Sequence, residues 1–248
     1  MTHELSGVTA LVTGGTSGIG RATAITLARL GADVAVSGRN AERGRQVVEE
    51  IEALGVKGEF IAADLHDAAS ARTLADTAVS RLGHVDVLVN NAGVYPFGRT
   101  EDMTENDFDS VFDVNVRASF FLVAELAPKM AAAGKGAIVN LSTMVAAYGN
   151  VGTSLYAASK AAVESLTKTW AAEYGPSGVR VNAVSPGPTY TEGTAAFGEG
   201  LDQLVGPAPA GRPAQADEIA NAIAFLASDA ASYIHGVVLA VDGGRTAV

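Results

Sequence analysis

Tyr156 and Lys160 are four residues apart in a segment of helical composition, residues 155–163. On a helix, positions i and i+4 lie on one face, so this spacing puts an ammonium group beside a phenol. A free tyrosine has a pKa of about 10 and is a poor acid or base at neutral pH. A nearby positive charge favours the phenolate and lowers that pKa. The pair therefore predicts a tyrosine general acid or base, although an ordinary surface Tyr–Lys pair has the same spacing.

A glycine-rich turn lies between the first predicted strand and the first predicted helix. It has the spacing Gly-x3-Gly-x-Gly, with glycines at positions 14, 18 and 20. Glycine lets the backbone turn sharply and approach a phosphate closely, and the free N–H groups of a helix N-terminus bind anions. The turn therefore predicts a site for the pyrophosphate of a dinucleotide. Its predicted contacts are Gly14, Thr16, Ser17, Gly18, Ile19 and Gly20.

The residues after the second predicted strand bear on which dinucleotide binds. They are Gly38, Arg39 and Asn40, with no acidic residue among them. An Asp or Glu here binds the ribose 2′-hydroxyl of NAD, whereas a cation suits the 2′-phosphate of NADP. Arg39 therefore favours NADP over NAD, unless it is a surface arginine that pairs with Glu42.

Residues that follow the third and fourth predicted strands complete the predicted cofactor site. Asp64 is expected to accept a hydrogen bond from the adenine amino group. The side-chain amide of Asn91 is expected to face the middle of the cofactor. The residues predicted here are Asp64, Leu65, Asn91, Ala92 and Gly93.

The composition restricts the function classes that fit this chain. It has 248 residues, 48% of them hydrophobic and 18% charged, as expected for a globular protein. The formal net charge is -10, which argues against nucleic acid or an anionic membrane as a partner. There is no cysteine, and the four histidines lack metal-ligand spacing, so no metal site is predicted.

The chain shows no targeting or membrane segment. Its first residues lack the basic and apolar regions of a signal peptide. Residues 136–159 are uncharged, but eight polar or glycine residues interrupt them, which a bilayer would not accept. A cytoplasmic location is the expectation.

Short apolar runs rich in β-branched residues alternate with longer amphipathic segments. This alternation predicts one α/β domain over residues 1–248, with a doubly wound parallel sheet and helices on both faces. The predicted strands are Thr9–Thr13, Asp33–Ser37, Gly58–Ala62, Val85–Asn90, Gly136–Ser142, Arg180–Ser185 and Val237–Val241. The predicted helices are Ile19–Leu30, Ala41–Leu54, Ala68–Leu82, Thr104–Ala133 with a break near Asn115, Tyr156–Tyr174 and Ala216–Leu226.

Residues 186–213 form the longest stretch without a regular pattern. The stretch contains five of the eight prolines and a few isolated apolar residues. Loops of this length inside a compact domain are more often functional than not. We expect a lid over the substrate rather than a disordered surface excursion.

Together these motifs resemble the classical branch of the short-chain dehydrogenase/reductase family over nearly the whole chain. The matching segments are Thr13-Gly14-x3-Gly18-Ile19-Gly20, Asn90–Gly93, Asn115, Tyr156-x3-Lys160, Pro186-Gly187 and residues 225–244. The resemblance implies a Rossmann-like sheet of seven strands, NAD(P)-linked interconversion of an alcohol and a carbonyl, and a homotetramer, with a dimer as the alternative.

The resemblance also implies a role for each site residue. Tyr156 would be the acid/base, Lys160 would hold the nicotinamide ribose and lower the tyrosine pKa, and Asn115 would hold a water that connects Lys160 to solvent. The family has a serine thirteen residues before the tyrosine, and this position is Thr143 here. Thr143 is the predicted oxyanion donor, with Ser142 as the alternative. The implied contacts to the nicotinamide are Pro186, Gly187, Thr189 and Thr191.

The substrate prediction depends on the pocket positions that the resemblance implies. They are mostly apolar or aromatic, without an arginine to bind a carboxylate, and they include Val94, Tyr95, Pro96, Met144, Val145, Thr153, Leu155 and Tyr190. A small, mostly apolar ketone or aldehyde is therefore expected. Two alternatives are a 3-oxoacyl-[acyl-carrier-protein] reductase and a catalytically silent NADP sensor or scaffold. The acidic net charge disfavours the first, and the intact Tyr156, Lys160 and Asn115 disfavour the second.

Overall fold

A parallel sheet of seven strands forms the centre of the computed structural model. The model describes residues 4–198 and 200–248, so residues 1–3 of the predicted domain and residue 199 of the predicted lid lie outside it. The sheet strands are β1 (Thr9–Val12), β2 (Asp33–Gly38), β3 (Gly58–Ala62), β4 (Val87–Asn90), β5 (Gly136–Leu141), β6 (Val179–Pro186) and β9 (Val238–Val241). Their order is β3-β2-β1-β4-β5-β6-β9, and every neighbouring pair is parallel. The predicted fold class is confirmed.

Helices connect these strands and cover the sheet. They are α1 (Gly18–Arg29), α2 (Ala41–Glu52), α3 (Ala68–Leu82), α4 (Glu105–Phe112), α5 (Ala118–Ala133), α6 (Ser154–Tyr174), α7 (Gly200–Val205) and α8 (Ala216–Ala227). Apart from α7, they agree with the predicted bounds to within two residues. Helices α4 and α5 are joined by a π-helical turn, Asp113–Arg117, so the predicted break near Asn115 is also confirmed. Single π turns of this kind occur often at functional sites.

Two hydrophobic cores lie on opposite faces of the sheet. Ala10 and Val12 of β1 belong to the core under α1, α2 and α8. Leu11 belongs to the core under α3, α5 and α6. Successive residues of a strand point to opposite faces, so a strand that is buried on both faces is apolar at most positions. This explains why the strands are continuous apolar runs and why helices lie on both sides.

The strand order reverses between β1 and β4. In an open parallel sheet this reversal leaves a crevice at the carboxyl ends of the strands, and ligands bind there. The glycine-rich turn follows β1, and residues 91–93 follow β4, so both lie at this crevice. Topology alone therefore brings the two predicted nucleotide-binding segments together.

Residues 186–213 contain more regular structure than the sequence predicts. Strand β7 (Thr189–Tyr190) pairs with β8 (Ala214–Gln215), a 3₁₀ turn spans Ala195–Phe197, and α7 has six residues. The segment was expected to lack regular elements because each of these is too short to produce a periodic pattern. Leu201 and Val205 bury one face of α7. Of the helices in the described part of the chain, none is long and apolar enough to cross a membrane.

Candidate active site

A cavity of about 500 Å³ opens at the carboxyl ends of the central strands. Among the predicted cofactor and catalytic residues, all except Asn115 line it. Those that do are Gly14, Thr16, Ser17, Gly18, Ile19, Gly20, Arg39, Asp64, Leu65, Asn91, Ala92, Gly93, Thr143, Tyr156, Lys160, Pro186, Gly187, Thr189 and Thr191. The nucleotide-binding segments, the Tyr–Lys pair and the 186–213 segment therefore share one cavity.

The glycine-rich turn is packed so tightly that it requires glycine. A Cβ atom on Gly20 would lie 2.2 Å from the carbonyl oxygen of Gly14. The Asn91 side chain holds the turn from the other side, because its Nδ2 donates to the carbonyls of Thr13 at 2.8 Å and Gly14 at 3.1 Å. Both N–H groups of this amide are therefore used by the turn, and the predicted contact of Asn91 with the cofactor stays a prediction.

The N-terminus of α1 has an acidic partner that the sequence did not indicate. Ser17, the N-cap residue, makes no side-chain capping bond, and the first turn of the helix contains no acidic residue. The backbone N–H of Gly18 instead donates to Oε2 of Glu192 at 2.8 Å. Glu192 belongs to the 186–213 segment, 174 positions away. No local pattern predicts a contact over such a separation.

Two exposed arginines lie at the far end of the cavity. Arg39 follows β2, and Arg43 is in the first turn of α2, where the sequence did not identify it as a site residue. Glu42 pairs with Arg45, which removes the alternative that Arg39 pairs with it. Neither Arg39 nor Arg43 makes an ion pair with any residue in 4–198 or 200–248. Two unpaired guanidinium groups beside a phosphate-binding turn fit a further phosphate on the ligand.

Tyr156 lies in the first turn of α6, and its environment keeps the phenol protonated. Burial raises the pKa of Tyr156 to about 12, while a hydrogen bond with the Thr143 side chain opposes this shift. Lys160 is not among the groups that shift this pKa. The net shift of the tyrosine pKa is therefore upward, opposite to the expected direction, because removal from water disfavours the phenolate.

Lys160 of α6 carries a buried ammonium group that reaches the end of β5. It is 4% exposed, and its Nζ donates to the Leu141 carbonyl at 2.7 Å. Burial lowers the pKa of Lys160 to about 8, because loss of water disfavours the charged form. The lysine is still mostly protonated at neutral pH, and its charge is lost as the pH rises through this value.

The structure after β5 bears on whether Ser142 or Thr143 is the oxyanion donor. Ser142 directs its hydroxyl to Glu164 of α6, with 2.5 Å between Oγ and Oε1. Thr143 is extended, begins a 3₁₀ turn, and lies close enough to Tyr156 to oppose the rise in its pKa. The two side chains point in different directions, as expected for neighbours in extended backbone. This geometry supports Thr143 as the oxyanion donor.

Asn115 is buried beneath the cavity, at 1% exposure, within the π turn. Its Oδ1 accepts from the N–H of Val94 at 2.8 Å, and its Nδ2 donates to the carbonyl of Val94 and to Oγ of Ser159. The side chain thus joins the segment after β4 to α6, one residue from Lys160. Its predicted role in holding a water stays a prediction.

A series of aromatic rings runs from Tyr156 to the 186–213 segment. The centroid distances are 6.1 Å from Tyr156 to Tyr95, 6.2 Å from Tyr95 to Phe97, and 5.5 Å from Phe97 to Phe197. Of the predicted pocket residues, Val94, Tyr95, Met144 and Val145 line the cavity. Pro96, Thr153, Leu155 and Tyr190 are not among its lining residues. Phe97 was missed because it follows the matching motif without belonging to it.

Metal chemistry has no support among the residues described. Within 4–198 and 200–248, no group of three or more histidine, aspartate or glutamate side chains could hold a metal ion. The donors that line the cavity are instead backbone N–H groups, guanidinium groups, hydroxyls and one ammonium. This set suits a phosphate- and ribose-containing ligand.

Comparison with known proteins agrees with this geometry. Residues 14–246 match a family model described as enoyl-(acyl carrier protein) reductase. The chain is also 42% identical over 237 residues to 3-oxoacyl-[acyl-carrier-protein] reductase FabG of Staphylococcus aureus, covering 95% of this chain and 96% of that one. The chain belongs to the short-chain dehydrogenase/reductase family.

Solved structures of family members have the same fold. One, described as a short chain dehydrogenase/reductase family protein, is 50% identical, with a TM-score of 0.90, and the match covers 99% of this chain and 100% of that one. Another, a blue fluorescent protein from a metagenomic library in complex with NADPH, is 38% identical, with a TM-score of 0.93 and 98% and 99% coverage. As a short-chain dehydrogenase/reductase, this chain is an NAD(P)-dependent oxidoreductase that acts on CH–OH groups.

Replacing Thr143 by alanine should lower kcat by about 10²–10³-fold, the usual loss for one oxyanion donor. Steady-state kinetics with a carbonyl substrate measures this effect. Ser142→Ala is the matched control and should retain activity near that of the wild type, because its hydroxyl donates to Glu164. The reverse pattern, with loss on Ser142→Ala and retention on Thr143→Ala, would show that the oxyanion donor is Ser142.

Proposed function

We propose that this short-chain dehydrogenase/reductase uses NADP(H) to interconvert a small, mostly apolar ketone or aldehyde and its alcohol. The observation that supports this most directly is the shared cavity, in which Tyr156 and Thr143 lie at one end and the glycine-rich turn with Arg39 and Arg43 at the other. A dinucleotide held along this cavity would place its hydride-donating end beside Tyr156, the proton donor that the mechanism requires.

The residues of the chain supply the proton and the charge stabilisation. When bound, the dinucleotide supplies the hydride that is added to the carbonyl carbon. Tyr156 donates its phenolic proton to the carbonyl oxygen, and the Thr143 hydroxyl donates a hydrogen bond to the same oxygen as its negative charge develops. The Lys160 ammonium stabilises the phenolate that remains until Tyr156 regains a proton from solvent, by a path that would pass Asn115.

The raised pKa of Tyr156 keeps this residue in the form that donates a proton. A phenol whose pKa is about 12 is protonated throughout the neutral range, so it is ready to donate a proton but not to accept one.

Each part of the dinucleotide has residues that would hold it. The N-terminus of α1 would bind the pyrophosphate, Arg39 and Arg43 the 2′-phosphate, Asp64 the adenine amino group, and Lys160 the ribose next to the nicotinamide. The nicotinamide carboxamide would be held by four residues of the 186–213 segment. They are Pro186, Gly187, Thr189 and Thr191.

Aromatic rings support an apolar substrate. Tyr95, Phe97 and Phe197 form a continuous apolar wall that leads from the proton donor to the predicted lid, residues 186–213. Such a wall stabilises flat or branched apolar groups by burial and by edge-to-face contacts. Arg212, the arginine of the lid, is bound through two 2.7 Å hydrogen bonds to Glu218, so it is not free for a substrate carboxylate.

A second candidate is a 3-oxoacyl thioester on acyl carrier protein, because similarity to the Staphylococcus aureus reductase favours it. An acidic carrier protein needs a basic surface at the cavity mouth. Lys135 precedes the amino end of β5, whereas the cavity opens at the carboxyl ends of the strands. With a net charge of -10, the chain offers little for such docking. We therefore rank this candidate second.

We also propose that the enzyme is a cytoplasmic homotetramer. Exposed aromatic side chains support an assembly, since Phe108 of α4 is 51% exposed and Phe120 of α5 is 43% exposed. Phe225 of α8 and Val248 are further exposed apolar side chains, at 41% and 67% exposure. Large apolar side chains that are exposed in clusters mark contact surfaces more often than isolated ones do.

Purified protein should oxidise NADPH in the presence of neutral ketones or aldehydes, and Tyr156→Phe should retain less than about a hundredth of that activity. The phenylalanine ring keeps the aromatic contact with Tyr95 but cannot donate a proton. Absorbance at the NADPH band, with a panel of aliphatic and aromatic carbonyls, measures the rate.

The same panel discriminates between the candidate functions. A 3-oxoacyl thioester turned over far faster than every neutral ketone would favour the carrier-protein candidate. Tight NADPH binding without turnover of any compound would favour a sensor or scaffold. Activity of Tyr156→Phe close to that of the wild type would contradict the mechanism.

Replacing both Arg39 and Arg43 by alanine should reduce kcat/KM for NADPH by about tenfold to a hundredfold, since each removes a charged hydrogen-bond donor from the 2′-phosphate. The kcat/KM for NADH should stay within about twofold of the wild-type value, because NADH lacks this phosphate. Arg45→Ala is the control, because Arg45 is in the same helix but is paired with Glu42. Equal losses with the two cofactors would contradict the assignment.

A further inference from the structure

The contact between Glu192 and Gly18 joins the predicted lid to the glycine-rich turn. Oε2 of Glu192 accepts the Gly18 N–H at 2.8 Å, and the side chain of the preceding Thr191 packs on Gly18, where a Cβ would lie 3.1 Å from it. Glu192 itself is exposed to solvent. A carboxylate of the lid is therefore directed at the helix end from outside, and it can turn away into water without crossing packed structure.

This carboxylate takes the place of the anion that the helix end favours. Helix α1 has twelve residues, no acidic residue in its first turn and no capping bond from Ser17. An uncapped helix end presents unpaired N–H groups and a partial positive charge, which bind a carboxylate or a phosphate in the same way. Arg21, a cation of the same helix, is paired with Glu50 and also feels the charge of Glu192. The Gly18 N–H donates the hydrogen bond that holds the Glu192 carboxylate at the helix end.

We propose that Glu192 is an internal competitor of the cofactor: its carboxylate must leave the N-terminus of α1 before a dinucleotide pyrophosphate can bind there. The inference rests on the proposed function, because it assumes that the glycine-rich turn binds NADP(H). One N–H group directed at one acceptor cannot also serve a second anion, and two anions at the same helix end repel each other. Glu192 thereby lowers the apparent cofactor affinity of the free enzyme.

Displacement of Glu192 also connects the two halves of the cavity. Residues 189–197 include the Thr191 contact with the turn and Phe197 of the aromatic wall. When the pyrophosphate displaces Glu192, this part of the lid loses a bond to the nucleotide end and is free to adjust around a substrate.

The test is the dissociation constant of NADPH, measured by isothermal titration calorimetry without any carbonyl compound. If the Glu192 contact is formed in most molecules of the free enzyme, the apparent dissociation constant of NADPH is the intrinsic constant divided by the small fraction of molecules in which the contact is open. Removing the contact should therefore tighten NADPH binding by about threefold to tenfold in Glu192→Ala, with a smaller gain in Glu192→Gln. The gain should shrink at high salt, because an exposed carboxylate at a helix end is screened.

Asp202→Asn is the matched control. It removes the same charge from the same lid segment, keeps an oxygen that can accept the 2.7 Å hydrogen bond from the Tyr190 hydroxyl, and leaves Gly18 untouched. Its NADPH affinity should equal that of the wild type within about twofold. Unchanged or weaker binding by both Glu192 variants, or an equal gain in Asp202→Asn, overturns the inference while the proposed function stands. A wild type that binds neither NADPH nor NADH overturns both.

Discussion

The ammonium group of Lys160 is buried at the carboxyl end of the sheet, and the arrangement of the site depends on satisfying it. A buried charge costs several kcal/mol unless it is hydrogen-bonded. Its hydrogen bond goes to the carbonyl of Leu141, the last residue of β5, at 2.7 Å. Strand β5 and helix α6 must therefore keep a fixed separation. The same separation sets where Thr143, two residues past Leu141, meets Tyr156, one turn before Lys160. Proton donor and oxyanion donor are thus positioned by one buried contact.

Buried polar side chains fix α6 against the strands. Nδ2 of Asn90 donates to Asn140, and Nδ2 of Asn140 donates to Thr167 of α6, at 2.9 Å and 2.8 Å. Asn115 makes a similar connection to Ser159, nearer the cavity. Directional bonds of this kind specify one position of a helix on a sheet, whereas apolar packing tolerates small shifts. At the other end of the cavity, the glycine-rich turn follows β1, which pairs with β4 in the same sheet. The distance between the turn and the catalytic end of the cavity is then set by the spacing of these strands.

Local sequence patterns predicted the fold and the position of the site, and the features that they did not predict depend on tertiary contacts. The alternation of buried strands and amphipathic helices was sufficient for the fold, and the spacing of Tyr156 and Lys160 was sufficient to locate the site. The direction of the tyrosine pKa shift was wrong because burial is not visible in sequence. The choice of Thr143 depends on where a strand ends, which is uncertain by a residue or two. Phe97 and Glu192 were missed because their partners are distant in the chain.

The most direct test of the role of the buried lysine is the pH dependence of kcat/KM for NADPH, which reports ionisations of the free enzyme. Because burial lowers the pKa of Lys160 to about 8, its charge is present below that pH and lost above it. Tyr156, with a pKa raised to about 12, stays protonated over the same range. The account predicts a constant value from about pH 6 to about pH 7 and a tenfold fall per unit above about pH 8. A profile that stays flat to about pH 10 would contradict it.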